Sequence, residues 1–266
     1  MKLPRNEFSI ENNADKRAFK MDQVRFAECC DRIVGMVREH LGIGTYQEKT
    51  VHAVVKNYME PDLSKQEQKV GAFVADICNE QGIIEVQTAN FNTLGKKLTE
   101  FLKVYPVTIV YPVPFRKWIC WIDPKTGERS QKRKSSKKGS PQMIFRELYK
   151  IRPFLQHPKL RISILLIHME EYKLLDGWGK DKKNHASKYD RIPFFLEDEI
   201  EINDVPSYKK LIPDGLPEQY TTADFAKKSS ITRSDAQKAL LLLTELGITQ
   251  RIGKQKNAYL YRTLLI

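Results

Sequence analysis

The chain has 266 residues, enough for one large domain or two modest ones with a proper core. It carries 45 Lys+Arg against 33 Asp+Glu, a net charge of +12, with a pI near 9.4. That balance favours a polyanionic partner, nucleic acid before membrane. It argues against partners that are themselves strongly basic.

Residues 1–44 read as an N-terminal extension and a helix. Met1-Lys2-Leu3-Pro4-Arg5 leads into polar sequence, so no secretory leader is expected. The most apolar run, Ile162 to Ile167, is far shorter than the roughly 20 residues needed to span a bilayer. Cys29, Cys30, Cys78 and Cys120 form no C-x-x-C pair, which predicts reduced thiols in a cytoplasmic protein and gives a structural zinc site little support.

From about Met21 to Leu41, apolar residues recur at helical spacing, ending at Gly42 and Gly44. A second helix is expected from about Tyr46 to Tyr58. Two apolar runs rich in β-branched residues follow, Val70–Ile77 and Ile83–Gln87, on either side of the turn-like Asn79-Glu80-Gln81-Gly82. Each run holds one carboxylate, Asp76 and Glu85, where burial makes an uncompensated charge costly. A divalent cation would compensate both. Next come an amphipathic helix from about Asn92 to Lys103 and a buried strand Val107–Tyr111, predicted to lie parallel to the Glu85 strand through a crossover.

Lys117–Ile122 reads as a strand turning at Asp123–Gly127 into a return arm, Glu128–Ser136. Residues 116–138 hold nine Lys/Arg against two acids, about +7, beside Trp118 and Trp121. This points to a nucleic-acid contact through Lys132, Arg133, Lys134, Lys137 and Lys138. A helix near Gln142–Ile151, a strand near Arg161–His168 and a polar, basic stretch at 176–190 follow. Residues 205–217 are Pro-dotted and suggest a linker, with a weak helix signal at Tyr208–Leu211.

Residues 218–266 form a separate unit. Thr221 or Thr222 caps a short helix, and Thr232-Arg233-Ser234-Asp235 opens a longer one that Gly247 terminates. Two short strands, 248–252 and 258–262, flank the basic tip Gly253–Asn257. This is the layout of a winged helix-turn-helix. Arg233, Gln237 and Lys238 would face DNA from the second helix, and Lys254 and Lys256 from the wing. Leu240–Leu243 and Leu246 belong to the core.

The order of a helix with Glu48, then Asp76 late in a strand, Glu85-Val86-Gln87 on the next strand, then a helix and a strand, resembles the PD-(D/E)XK (restriction-endonuclease-like) nuclease superfamily. The resemblance covers roughly residues 45–113. It implies an α/β fold, a mixed sheet flanked by helices, over 45–204. It also implies Mg²⁺ (or Mn²⁺) held by Asp76, Glu85 and the Val86 carbonyl, with Glu48 as a further carboxylate. Gln87 stands where the superfamily usually has lysine. Glutamine can hold a water but adds no positive charge; Lys49, Lys56 or Lys96 would have to supply one. His52 shares a helix face with Glu48, and Asp62 reads as a turn or cap residue. The expected activity is metal-dependent hydrolysis of a DNA phosphodiester, with no small-molecule cofactor and a homodimer left open. The rivals are a decayed, binding-only nuclease fold and a regulatory adaptor.

Overall fold

The computed structural model describes residues 23–34, 50–179 and 185–264. Residues 23–34 form α1, followed by α2 (Thr50–Met59). A large sheet then begins with β1 (Gln66–Val70), β2 (Phe73–Asn79) and β3 (Gly82–Val86). The helix α3 (Leu94–Val104) leads to β4 (Val107–Ile122). The short β5 (Arg133–Lys134), a broken helical segment around α4 (Phe145–Leu148), β6 (Leu160–Leu174) and β7 (Ser187–Ile202) complete it. The strand order is β1-β2-β3-β4-β6-β7, with β5 paired to β4. The β3–β4 and β4–β6 pairs are parallel and the others antiparallel. The protein is therefore a mixed α/β protein with a mixed sheet flanked by helices, and the expected parallel β3–β4 pair is present.

Several boundaries differ from the sequence reading, for physical reasons. The run from Val70 to Ile77 is broken by Gly71, at φ +61°, into a hairpin between β1 and β2. The Gly82 turn is where expected: its φ is +117°, and a Cβ there would sit 2.4 Å from the Pro106 carbonyl oxygen, so a side chain would collide. What reads as two strands, 107–111 and 117–122, is one 16-residue strand. Pro112 and Pro114 are tolerated because β3 stops pairing at Val110 and β5 starts only at Trp118. The strand β7 was not foreseen. It lies at the sheet edge, where Pro193 sits inside its apolar run Ile192–Leu196 and acids crowd the remainder, which masks the strand signal.

Both faces of the sheet are covered. On one, Phe26, Val51, Val54 and Val55 of α1 and α2 pack on Ile77, Ile84, Val86, Val110, Leu165 and Ile167. On the other, Leu94, Leu98 and Phe101 of α3 and Phe145 and Leu148 of α4 pack on Ile83, Ile109 and Ile164.

The C-terminal residues build β8 (Tyr220–Thr221), α5 (Thr222–Ser229), α6 (Arg233–Glu245), β9 (Thr249–Gln255) and β10 (Ala258–Thr263). The strands form a three-stranded sheet in the order β8-β10-β9. Thr221 caps α5 in a reciprocal capping box with Asp224, and the Thr232 side chain accepts from the Asp235 amide to cap α6. Gly247, at φ +72°, ends α6. This unit shares one apolar cluster with the large domain. Phe145 meets Phe225 edge-on at 6.4 Å, and Arg146 grips Asp235 through two hydrogen bonds of 3.1 and 2.6 Å. Within 205–217, Tyr208 and Leu211 are buried in the same cluster, on a short 3-10 helix, Pro206–Leu211.

Among the described residues, no helix is long and apolar enough to cross a membrane. All four cysteines are free: Cys29, Cys30 and Cys120 are buried and Cys78 is half-buried.

Candidate active site

The β2–β3 ladder runs only from Asn79↔Gly82 to Ile77↔Ile84. Beyond it the strands stop exchanging backbone hydrogen bonds, and two side chains take over. The Val86 amide donates to Asp76 Oδ2 at 2.7 Å, and the Asp76 amide donates to Glu85 Oε1 at a long 3.4 Å. Two carboxylates thus hold open the point where the strands separate, satisfying backbone donors that would otherwise be orphaned.

Each face of the sheet contributes a nitrogen-bearing partner. From α2, His52 Nε2 lies 3.3 Å from Asp76 Oδ2. From α3, Lys97 Nζ donates to both oxygens of Glu85, at 3.1 and 2.8 Å. The two acids are driven in opposite directions. Glu85 is fully buried, and burial together with the negative charge of Asp76 outweighs Lys97 and pushes its carboxyl up to about 7. For Asp76, burial also acts upward, but His52, the Val86 amide and Lys97 hold the carboxyl below its ordinary value. One site therefore keeps an ionised acid beside one poised near neutrality.

Asp76 and Glu85 are neighbours, joined by the long contact from the Asp76 amide to Glu85 Oε1. His52 and Lys97 reach the two acids from opposite faces of the sheet, and the Val86 amide bonds Asp76. Gln87 follows directly, half-buried, with its amide donating to the Val110 carbonyl at 2.9 Å. Glu48 and Lys49 lie outside the described residues. The other two candidates for a displaced cation do not serve. Lys56 bonds Glu67 at 2.6 Å and Lys96 is exposed. Lys97 instead lies against Glu85. The signal was present: Lys97 stands three residues after Leu94 and four before Phe101, on the buried stripe of α3, whereas Lys96 points away. Asp62 caps a 3-10 turn, accepting from Ser64, as a cap residue would. Among the described residues, no three His, Cys, Asp or Glu side chains are arranged to hold a metal ion.

The basic residues occupy two surfaces. On the arm, Lys132 pairs with Glu170, Lys134 lies over the Trp118 ring and Lys138 over the Phe115 ring, while Arg133 and Lys137 are exposed. On the C-terminal unit, Arg233 and Gln237 are exposed on α6 and Lys238 lies 3.7 Å from Asp235. Lys254 sits over Tyr259, and Lys256 forms the β9–β10 turn at φ +54°.

A family model described as "Domain of unknown function (DUF8091)" matches residues 49–203, which includes the whole carboxylate site except Glu48. An uncharacterised protein of Treponema pallidum (strain Nichols) is 30% identical over 221 residues, covering 83% of this chain and 87% of the relative. No solved structure matches. The match over more than half of its length shows that the chain belongs to the DUF8091 domain family.

Proposed function

We propose that the protein is a metal-dependent DNA endonuclease of the PD-(D/E)XK type, with a restriction-endonuclease-like domain and a C-terminal winged helix. The observation that carries this reading is the Asp76–Glu85 pair at the splayed end of β2 and β3, flanked by Lys97. Burial and the neighbouring Asp76 charge make ionising Glu85 costly, and a divalent cation would stabilise the pair.

The donor set fits hard-cation chemistry. Asp76 would offer Oδ1, the oxygen that carries neither the Val86 nor the His52 contact, and Glu85 would offer a carboxylate oxygen. A Mg²⁺ or Mn²⁺ ion bound there would supply Lewis acidity toward a scissile phosphate. Lys97 would hold Glu85 in place and present positive charge where Gln87 does not. The Asp76–His52 contact would fix the imidazole as a group able to take or give a proton. The exposed cations of the arm, of α6 and of the β9–β10 turn would hold the DNA backbone.

The test is cleavage of single-stranded, duplex and branched DNA with Mg²⁺ or Mn²⁺. Slow, metal-dependent nicking is expected. Asp76→Ala and Glu85→Ala should each abolish it while leaving DNA affinity largely intact. Wild-type protein that binds DNA but cuts no substrate would favour the binding-only alternative that Gln87 suggests. Protein that neither binds nor cuts would favour an adaptor.

A further inference from the structure

Beyond Ile167, β4, β5, β6 and β7 run on together as a tongue of the sheet. It carries an aromatic cluster that starts at Phe115, a buried member of the core, and runs out to the exposed Phe194 and Phe195. Phe115 stacks on the His168 ring at 5.8 Å, Trp118 lies 5.9 Å from His168, and Phe194 meets Trp118 edge-on at 5.3 Å. Phe195 lies 5.2 Å from His168. Phe194 and Phe195 are 42% and 37% exposed, high for two adjacent phenylalanines in a strand. A cluster that existed only to pack would bury them.

Cations border these rings. Lys134, paired with Trp118 across the β4–β5 ladder, holds its ammonium 5.6 Å from the Trp118 ring centre. Lys138 holds its own 4.1 Å from that of Phe115. The acids nearby are engaged: Glu170 pairs with Lys132, and Glu197 lies 2.9 Å from His168. The root of the arm also touches the C-terminal unit, for the Ser140 hydroxyl donates to the Ser229 carbonyl at 2.6 Å, just before α6.

We infer that this tongue is a stacking platform for an unpaired DNA strand, with bases on Trp118, Phe194 and Phe195 and phosphates on Lys134 and Lys138. Exposed Phe194 and Phe195 rings, beside ammonium groups seated over Trp118 and Phe115, match a strand whose bases are free to splay out. Duplex DNA hides those faces and offers only phosphates. The inference rests on the nuclease reading for its choice of DNA and narrows it, because the substrate would then contain a single-stranded segment, as in a flap, fork or overhang.

The experiment measures binding of full-length protein in EDTA, by fluorescence anisotropy, so cleavage plays no part. The probes are dT20, a 20-residue abasic strand with the same number of phosphates, and a 20-base-pair duplex. Wild type should bind dT20 at least about tenfold more tightly than the abasic strand, as expected for two or more stacked bases. Phe194→Ala combined with Phe195→Ala should remove most of that preference and change duplex affinity less than about twofold. Both residues are surface-exposed, so the variant is expected to fold, and circular dichroism checks this. Trp118→Phe should keep the affinity and reduce the quenching of tryptophan fluorescence by dT20.

Equal binding of dT20 and the abasic strand would overturn the inference, as would unchanged dT20 binding by the folded double variant. A protein that shows the preference but cleaves nothing retains this platform and loses the nuclease reading. One that cleaves duplex DNA without the preference loses only the platform.

Discussion

Two glutamates are buried in the same sheet, and they meet opposite fates. Glu171, 2% exposed on β6, is surrounded by cations: Lys117 at 3.2 Å, Arg191 at 3.0 Å and Lys173 at 4.0 Å. Burial pushes its carboxyl up, but Lys117 and Arg191 outweigh burial and hold it below the ordinary value. Glu85, fully buried on β3, has Lys97 on one side and a second acid on the other, and its carboxyl rises to about 7. Glu171 is thus neutralised by its own chain, and its function is complete within the fold. Glu85 is left short of positive charge, a deficit that a bound cation would make up under the proposed reading.

The largest expected effect tests this contrast through stability. Glu171→Ala takes the carboxylate from between Lys117 and Arg191 in a half-buried setting, so it should cost about 3 kcal/mol in urea unfolding. Glu85→Gln removes the charge that burial and Asp76 disfavour, and should change metal-free stability by less than about 1 kcal/mol. If the two variants proved equally destabilised, Glu85 would be an ordinary structural ion-pair partner. Next in size is Lys97→Met, which keeps most of the side-chain volume but removes the charge beside Glu85. It should lower the cleavage rate about 10²-fold if Lys97 supplies the cation that Gln87 does not. A rate within twofold of wild type would assign that role elsewhere.

The pH dependence of stability should separate the same two residues by sign. The carboxyl of Glu85 is raised from about 4.5 to about 7 in the folded chain, so its contribution is fully present below about 4.5. It is lost as pH rises through about 7. Glu171 and Asp76 have lowered values, so their contributions are present above the unfolded values and are lost as pH falls through the folded ones. Metal-free wild type should therefore lose stability between pH 5 and 8, and Glu85→Gln should flatten that slope. Saturating Mn²⁺ should also restore wild-type stability at pH 8, and should do nothing for Asp76→Ala. A wild-type profile that is flat from pH 5 to 8 would remove the premise that Glu85 is electrostatically unsatisfied.

The site was more legible in the sequence than the sheet around it. Asp76 and Glu85 stand out because each interrupts an apolar β-branched run, and burial of a carboxylate is costly enough to demand a partner. The caps at Thr221 and Thr232 and the stop at Gly247 were legible because each rests on local chemistry that reads the same in any fold. The edge strand β7 was not, since Pro193 breaks its apolar run Ile192–Leu196 and acids crowd the rest. The continuity of β4 through Pro112 and Pro114 was hidden too. It depends on where the neighbouring strands stop, which is a non-local fact. Choosing Lys97 over Lys96 required only helical phase, and the aromatic tongue required the pairing of β6 with β7, which sets Phe194 and Phe195 beside His168 and Trp118.

The smallest expected effect concerns Gln87, and it sharpens the account of how a cation-poor site is completed. Gln87 follows β3 directly, and its amide is anchored on Val110, so the backbone there does not depend on its side chain. Lys97 already bonds both oxygens of Glu85. A second ammonium from Gln87→Lys would add positive charge beside an acid that lacks it, and would lower the Glu85 carboxyl from about 7. The rate at pH 8 should therefore stay within about threefold of wild type or rise, while the low-pH limb of the rate profile moves to lower pH. The Lys97→Met, Gln87→Lys double variant should recover part of what Lys97→Met alone loses, because the two ammonium groups would act on the same carboxylate. If Gln87→Lys instead abolished cleavage while the protein stayed folded, the glutamine amide itself would be holding a water or phosphate oxygen that lysine cannot. Lys97 would then be a positioning residue for Glu85 alone.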